Sequence, residues 1–170
     1  MNKHRKQTIK KESKLTHAEL KSKIFYSPKT GKIYKRYSYG LKQTFGVDTQ
    51  GYLRVRINIT QYKQHRVAWF YMTGAWPSDQ IDHISGIKSD NQISNLRECS
   101  TQQNGANKGA NRNSKSGIKG VYWYAETSRW RAGIQVNRKT KCLGYFDDIN
   151  EAAAAYEKAA IKYFGEFARV

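Results

Sequence analysis

The stretch from 105 to 117, GANKGANRNSKSG, argues against one continuous core for this chain. Gly, Asn, Ser and Lys dominate it, and none of them offers apolar surface to bury. The 170 residues are therefore expected to build two bodies joined by a flexible, cationic linker at 105–117. Residues 1–14, MNKHRKQTIKKESK, lack hydrophobic periodicity and are expected to be a basic, flexible tail. That leaves 15–104 and 118–170 as the parts able to fold.

The second part is the easier to read. Val121-Tyr122-Trp123, Trp130 to Val136 and Lys141 to Phe146 have the length and spacing of three strands in an antiparallel meander. Asp148 or Asn150 can cap a helix from about Glu151 to Phe164, and Gly165 suits its C-terminal end. The alanines at 152–155, 159 and 160 give that helix a thin face that can lie close on a sheet. In the first part, Thr16 and Glu19 have capping-box spacing. Leu20, Ile24 and Phe25 are expected on the apolar face of one or two helical turns, followed by a turn at Ser27–Gly31 and a strand over Ile33–Arg36. After Gly51, apolar residues alternate with Arg54, Arg56 and Asn58, the period-two pattern of a half-buried strand with a basic outer face. Val67 to Met72 reads as a buried helix. The fold class expected is α+β.

Charge narrows the partners. Lys and Arg number 31 against 13 Asp and Glu, a formal net charge of +18. Such an excess calls for a polyanion, with nucleic acid first and an anionic membrane surface second. No run of eighteen apolar residues is present, so no membrane span is expected. The basic start is not followed by an apolar segment and does not read as a secretion signal. Cys99 and Cys142 have no Cys or His neighbour at zinc-ligand spacing, so neither structural zinc nor a disulfide is expected in what reads as a cytoplasmic protein. The 12 Tyr, 4 Trp and 6 Phe allow real cores despite the charge.

One constellation carries chemistry. Asp82-His83 places a carboxylate beside an imidazole, with Gly86, Asn91 and Asn95-Leu96-Arg97 downstream and Gln103-Asn104 beyond. Alone, an Asp-His pair is common, and each Asn could be a turn or cap residue. Taken together with His65-Arg66-Val67-Ala68-Trp69, the stretch resembles HNH nucleases of the phage and intron homing type. The resemblance spans about 40 residues and implies a ββα-metal fold around one divalent ion. It implies that Asp82 and Asn104 are ligands of one Mg²⁺ or Mn²⁺, hard ions that take oxygen donors. It implies that His83 is the general base, and that Asn95 holds the loop and orients it. The reaction implied is phosphodiester hydrolysis leaving a 5′-phosphate and a 3′-hydroxyl. Many family members end the motif in His; this chain has Asn104, as in the phage homing subgroup. His65 is read as structural, and His4 and His17 as chemically idle. Arg97 either meets a phosphate or pairs with an acid such as Glu98 or Asp90, and Arg66 is similarly open.

The C-terminal part resembles the APETALA2-type DNA-binding domain through Gly117, Lys119-Gly120-Val121, Trp130, Ala132, Ile134, Leu143-Gly144-Tyr145-Phe146, Glu151-Ala152-Ala153, Ala155-Tyr156, Ala159 and Phe164-Gly165. That family sets three antiparallel strands on one helix and presents the sheet to the major groove. By position the expected contacts are Lys119, Tyr122, Tyr124, Arg129, Arg131, Gln135, Arg138, Lys139 and Lys141. Tyr122 and Tyr124 replace arginines that often read bases, so no base preference carries over. Arg54, Arg56, Arg66 and Arg97, with Lys108, Arg112 and Lys115 of the linker, complete the expected nucleic-acid contacts.

The expected whole is a monomeric, metal-dependent endonuclease that nicks double-stranded DNA at a specific or homing site, delivered there by its C-terminal sheet. The rival is a non-catalytic DNA-binding regulator, and a third reading is an RNA-binding protein.

Overall fold

In the computed structural model, Glu12, residues 14–111 and residues 113–169 are described. Most of the expected tail, and Arg112, lie outside them. The chain divides into two compact units after Glu98. Helix and strand are mixed in both, in keeping with an α+β fold. No described helix is long and apolar enough to cross a membrane.

In the first unit, helix α1 spans His17–Lys23, and the Thr16 hydroxyl accepts from the Glu19 amide. The helix stops there. Ile24 is extended, and Ile24–Tyr26 forms strand β1, so Ile24 and Phe25 are not helical as expected. Three consecutive β-branched or aromatic residues favour a pleated surface over continued helix. β1 pairs with β2 (Ile33–Tyr37), which pairs with β3 (Gly40–Gln43), both antiparallel. A second sheet joins β4 (Gly46–Val47), β5 (Leu53–Ile57) and β6 (Thr60–Lys63). Helix α2, Gln64–Thr73, follows directly and ends at Gly74, whose φ of 75° suits a residue without a side chain. Strands β7 (Gln80–His83) and β8 (Leu96–Cys99) pair with each other. Leu20, Ile24, Tyr26, Ile33, Val55, Val67 and Phe70 are among the core residues that tie these elements together. Glu12 is also buried and grips Arg66 through both carboxylate oxygens, at 2.6 and 2.8 Å.

In the second unit, helix α3 spans Thr101–Ala106 and opens on a complete capping box between Ser100 and Gln103. Residues 107–120 hold no helix or strand among those described. Strands β9 (Val121–Tyr124), β10 (Arg129–Val136) and β11 (Lys139–Phe146) form one antiparallel sheet with β10 central. Helix α4, Ile149–Phe164, is capped by Asp148 and closed by Gly165. Its buried Ala152, Tyr156, Ala159 and Ala160 meet Val121, Ala132 and Ile134 of the sheet. Gly120 shows why the approach needs small residues: a β-carbon there would lie 2.2 Å from the Tyr156 ring. The expected arrangement of three strands on one helix is what is found.

Candidate active site

Asp82 and His83 end β7, and each is 4% exposed. The Asp82 Oδ2 atom accepts from Arg97 Nε at 3.0 Å, with Arg97 Nη2 also at 3.0 Å. Of the open possibilities for Arg97, pairing with an acid is what is seen, and the acid is Asp82. Taking one partner away from a buried pair of this kind leaves an uncompensated charge, at a cost of about 3–5 kcal/mol.

His83 Nε2 meets Asn91 Oδ1 at 3.0 Å. An amide oxygen only accepts, so Nε2 carries the proton and Nδ1 is left as the basic nitrogen. Burial pushes the His83 pKa below its ordinary value, against the upward pull of the Asn91 bond and of Asp82 and Asp90. The ring is therefore neutral near pH 7, the form a general base needs.

The loop between β7 and β8 holds this geometry. Asn95 Oδ1 accepts from the Ser85 amide at 2.8 Å, and Asn95 Nδ2 donates to the Asp90 carbonyl at 2.8 Å. Asn95 thus staples the two ends of the loop, while the imidazole partner is Asn91. Asn91 is one of the residues that carry the resemblance, but the resemblance gave it no role. Its backbone is fixed from the other side by the β1–β2 hairpin: Tyr26 Oη donates to the Asn91 carbonyl at 2.7 Å. Gly31, at φ 68°, lies so close that a β-carbon would sit 2.5 Å from the Asn91 carbonyl carbon. The Ile93 amide donates to the Pro28 carbonyl at 3.2 Å.

His65 stands edge-on to His83 with ring centroids 5.0 Å apart, and Tyr52 lies 5.3 Å from His65 and 6.0 Å from His83. Burial, reinforced by the positive charge of nearby groups, holds the His65 pKa well below its ordinary value. It acts as a neutral wall behind the His83 ring, a structural place like the one expected of it. His17 also has a packing role: its Nε2 lies 2.9 Å from the Tyr71 carbonyl.

Other expected nucleic-acid residues fall into distinct surroundings. Arg66 spends its guanidinium on Glu12 and on the Asp79 and Pro77 carbonyls. Arg54 pairs with Asp48 at 2.9 Å, and Arg56 is exposed. In the second unit, Tyr122, Arg131 and Tyr145 stand directly opposite one another across the three strands. Arg131 lies 5.5, 5.8 and 5.7 Å from the Tyr122, Tyr124 and Tyr145 ring centres, an arginine framed by three aromatic rings. Gln135, four residues along β10, shares that face. Arg129 is paired with Asp147 at 2.8 Å. Lys141 instead reaches Tyr163 Oη of α4 at 3.2 Å, on the helix side of the sheet. Lys119 donates to the Gly105 and Ala106 carbonyls, and burial, then Arg169 and Lys108, push its pKa down to about 8. Arg138 sits at φ 65° in the β10–β11 turn, and Lys108, Lys115 and Lys139 are exposed.

Among the described residues, no group of three or more His, Cys, Asp or Glu side chains converges on a metal-sized site. The oxygen donors the resemblance calls for are a buried carboxylate, Asp82, and the amide of Asn104 on α3. In chemistry, both suit a hard divalent cation. In this structure the charge of Asp82 is met by Arg97.

Residues 62–106 match the HNH endonuclease family. The chain is 31% identical over 116 residues to an uncharacterized HNH endonuclease of Acanthamoeba polyphaga mimivirus, covering 67% of this chain and 59% of that protein. It is 28% identical over 108 residues to protein 3.8 of Escherichia phage T7, covering 63% of this chain and 88% of that one. Over 54 residues the chain is 43% identical to APETALA2-like protein 2 of Oryza sativa, covering 32% of this chain and 12% of the plant protein. The chain thus spans little more than half of the mimivirus relative and a small part of the plant one. No solved structure matches it significantly.

Proposed function

Because residues 62–106 carry the HNH endonuclease signature, we propose that this protein is a metal-dependent endonuclease that nicks double-stranded DNA. The observation that carries the reading is the buried Asp82-His83 pair, whose imidazole is held neutral, with its Nε2 proton committed to Asn91. His83 Nδ1 takes a proton from the attacking water. Asn91 fixes the tautomer and the ring plane, and Asn95 keeps the loop closed behind it. Asp82 and Asn104 are the proposed ligands of one Mg²⁺ or Mn²⁺. When bound, such an ion neutralises the charge that builds on the phosphate and the leaving 3′ oxygen. Arg97 holds the Asp82 carboxylate in place as its counter-charge.

The C-terminal sheet is the proposed DNA grip. Its outward face gathers Tyr122, Tyr124, Arg131 and Gln135, a mixture of ring faces, one cation and one amide suited to backbone and base edges. A single centre makes one cut, so nicking by a monomer is the proposed outcome, with a homing or otherwise site-specific role. The test is conversion of supercoiled plasmid to open circles in Mg²⁺ or Mn²⁺, abolished by EDTA. A protein that binds duplex tightly yet never nicks in either metal is the DNA-binding regulator instead.

A further inference from the structure

Tyr52 has neighbours that the mechanism above does not use. The Lys63 ammonium lies 4.1 Å from its ring centre and the Lys88 ammonium 5.0 Å. The two charges are thus no more than 9.1 Å apart, although they are 25 positions apart in the chain. Lys88 Nζ also donates to the Gln50 carbonyl at 2.8 Å, which sets its position. The same ring lies 6.0 Å from that of His83. Two cations are therefore mounted on one aromatic plate beside the candidate base.

The electrostatic setting of Lys63 is unfavourable without a counter-ion. Lys63 occupies the N-cap position of α2, where the helix dipole favours negative charge, and the first turn of α2 holds no acid. Burial pushes the Lys63 pKa down, and the Arg54, Arg66 and Lys88 cations add to this against Asp48. Asp48 itself is engaged by the Arg54 guanidinium at 2.9 Å and by the Gln50 and Tyr52 amides at 2.9 Å. A partly desolvated cation at a helix N-terminus, with a second cation held on the same ring, is a surface suited to an anion with several oxygen atoms.

We propose that Lys63 and Lys88, mounted on Tyr52 beside His83, grip a DNA backbone phosphate next to the one that is cut. The inference rests on the nuclease reading for the word "cut", but the grip itself is a binding property and is measurable without metal. Lysine suits the task as a point charge on phosphate, and the ring restrains two otherwise floppy stems. The pair gives the nuclease unit its own hold on the strand, independent of the C-terminal sheet.

The experiment uses the full chain and a short labelled duplex in EDTA, with affinity measured from 50 to 200 mM salt. The variant Lys63→Gln/Lys88→Gln is compared with Lys23→Gln/Lys158→Gln, which removes the same charge elsewhere. The proposal expects the log–log salt slope to fall by about 0.9, the value for one phosphate no longer neutralised, with less change in the control. Lys63→Arg should keep the slope, which separates charge from packing. In parallel, plasmid nicking should drop at least tenfold in the double variant and stay within twofold in the control. Equal slopes for the two double variants overturn the proposal. If wild type never nicks in any metal, the nuclease reading fails, and the salt slopes still decide the lysine pair.

Discussion

Replacing Gly31 by Ala tests whether a hairpin remote in sequence positions the base. The new β-carbon would lie 2.5 Å from the Asn91 carbonyl carbon and from the Gln92 nitrogen. Carbon atoms rest at about 3.5–4.0 Å, so the Asn91 backbone must retreat by about 1 Å. That residue carries the amide that holds His83. A misplacement of about 1 Å at a reacting group can cost about 100-fold in rate. The residue also has φ 68°, where Ala costs about 1–2 kcal/mol, and the clash adds about 1–3 kcal/mol. Gly74→Ala is the control. Its φ of 75° is similar, but the nearest atom to its β-carbon, His17 Nδ1, is 3.8 Å away. Gly74→Ala should lower stability by about 1–2 kcal/mol and leave nicking within twofold. Gly31→Ala should melt lower still and nick about 100-fold more slowly in single-turnover assays, with duplex affinity intact. If Gly31→Ala loses stability as stated yet nicks like wild type, Asn91 does not set the base.

Three further outcomes follow from the same geometry. Arg97→Ala strips the counter-charge from buried Asp82 and should cost about 3–5 kcal/mol; millimolar Mn²⁺ should restore more of the melting temperature than it adds to wild type, and equal metal effects on both would contradict the proposed ligand. His65 is buried neutral, with its pKa well below 6.5 in the fold, so the unfolded chain binds protons first as pH falls. Stability should therefore drop below about pH 6.5, by at most about 1.4 kcal/mol per pH unit for this group, and a denaturant series at pH 7.5 and 5.5 should show a shallower drop in His65→Gln. An identical drop in both proteins would place the proton uptake elsewhere. Arg131→Gln removes the cation framed by Tyr122, Tyr124 and Tyr145 and should reduce the salt slope of duplex binding by about 0.9; an unchanged slope would mean that this face does not meet phosphate.

The C-terminal sheet and helix were legible because local signals agreed. Alternation in 130–136, the Asp148 cap, the alanine face and Gly165 all point to one arrangement. The α2 helix was legible from its apolar run. β3 was not, because Gly40–Gln43 is exposed throughout and has no buried face to leave a pattern. At Ile24 and Phe25 the helical spacing misled, since β-branched and aromatic residues there favoured pairing with β2. The Asp82-His83 pair was visible as a motif, but the partner of His83 was not. Asn91 reaches the ring only because a loop folds back on β7, and Arg97 reaches Asp82 only through the pairing of β7 with β8. The gathering of Lys63 and Lys88 on Tyr52 is likewise a tertiary fact that spacing along the chain cannot carry.

His83, kept neutral by burial and oriented by Asn91, is the proposed base of a phosphodiester cut. The most direct test is single-turnover nicking of supercoiled plasmid by wild type and His83→Ala in Mg²⁺ or Mn²⁺, with duplex affinity measured alongside. His83→Ala is expected to cut about 100- to 10,000-fold more slowly, with affinity within twofold. Undiminished cutting by His83→Ala would contradict that role.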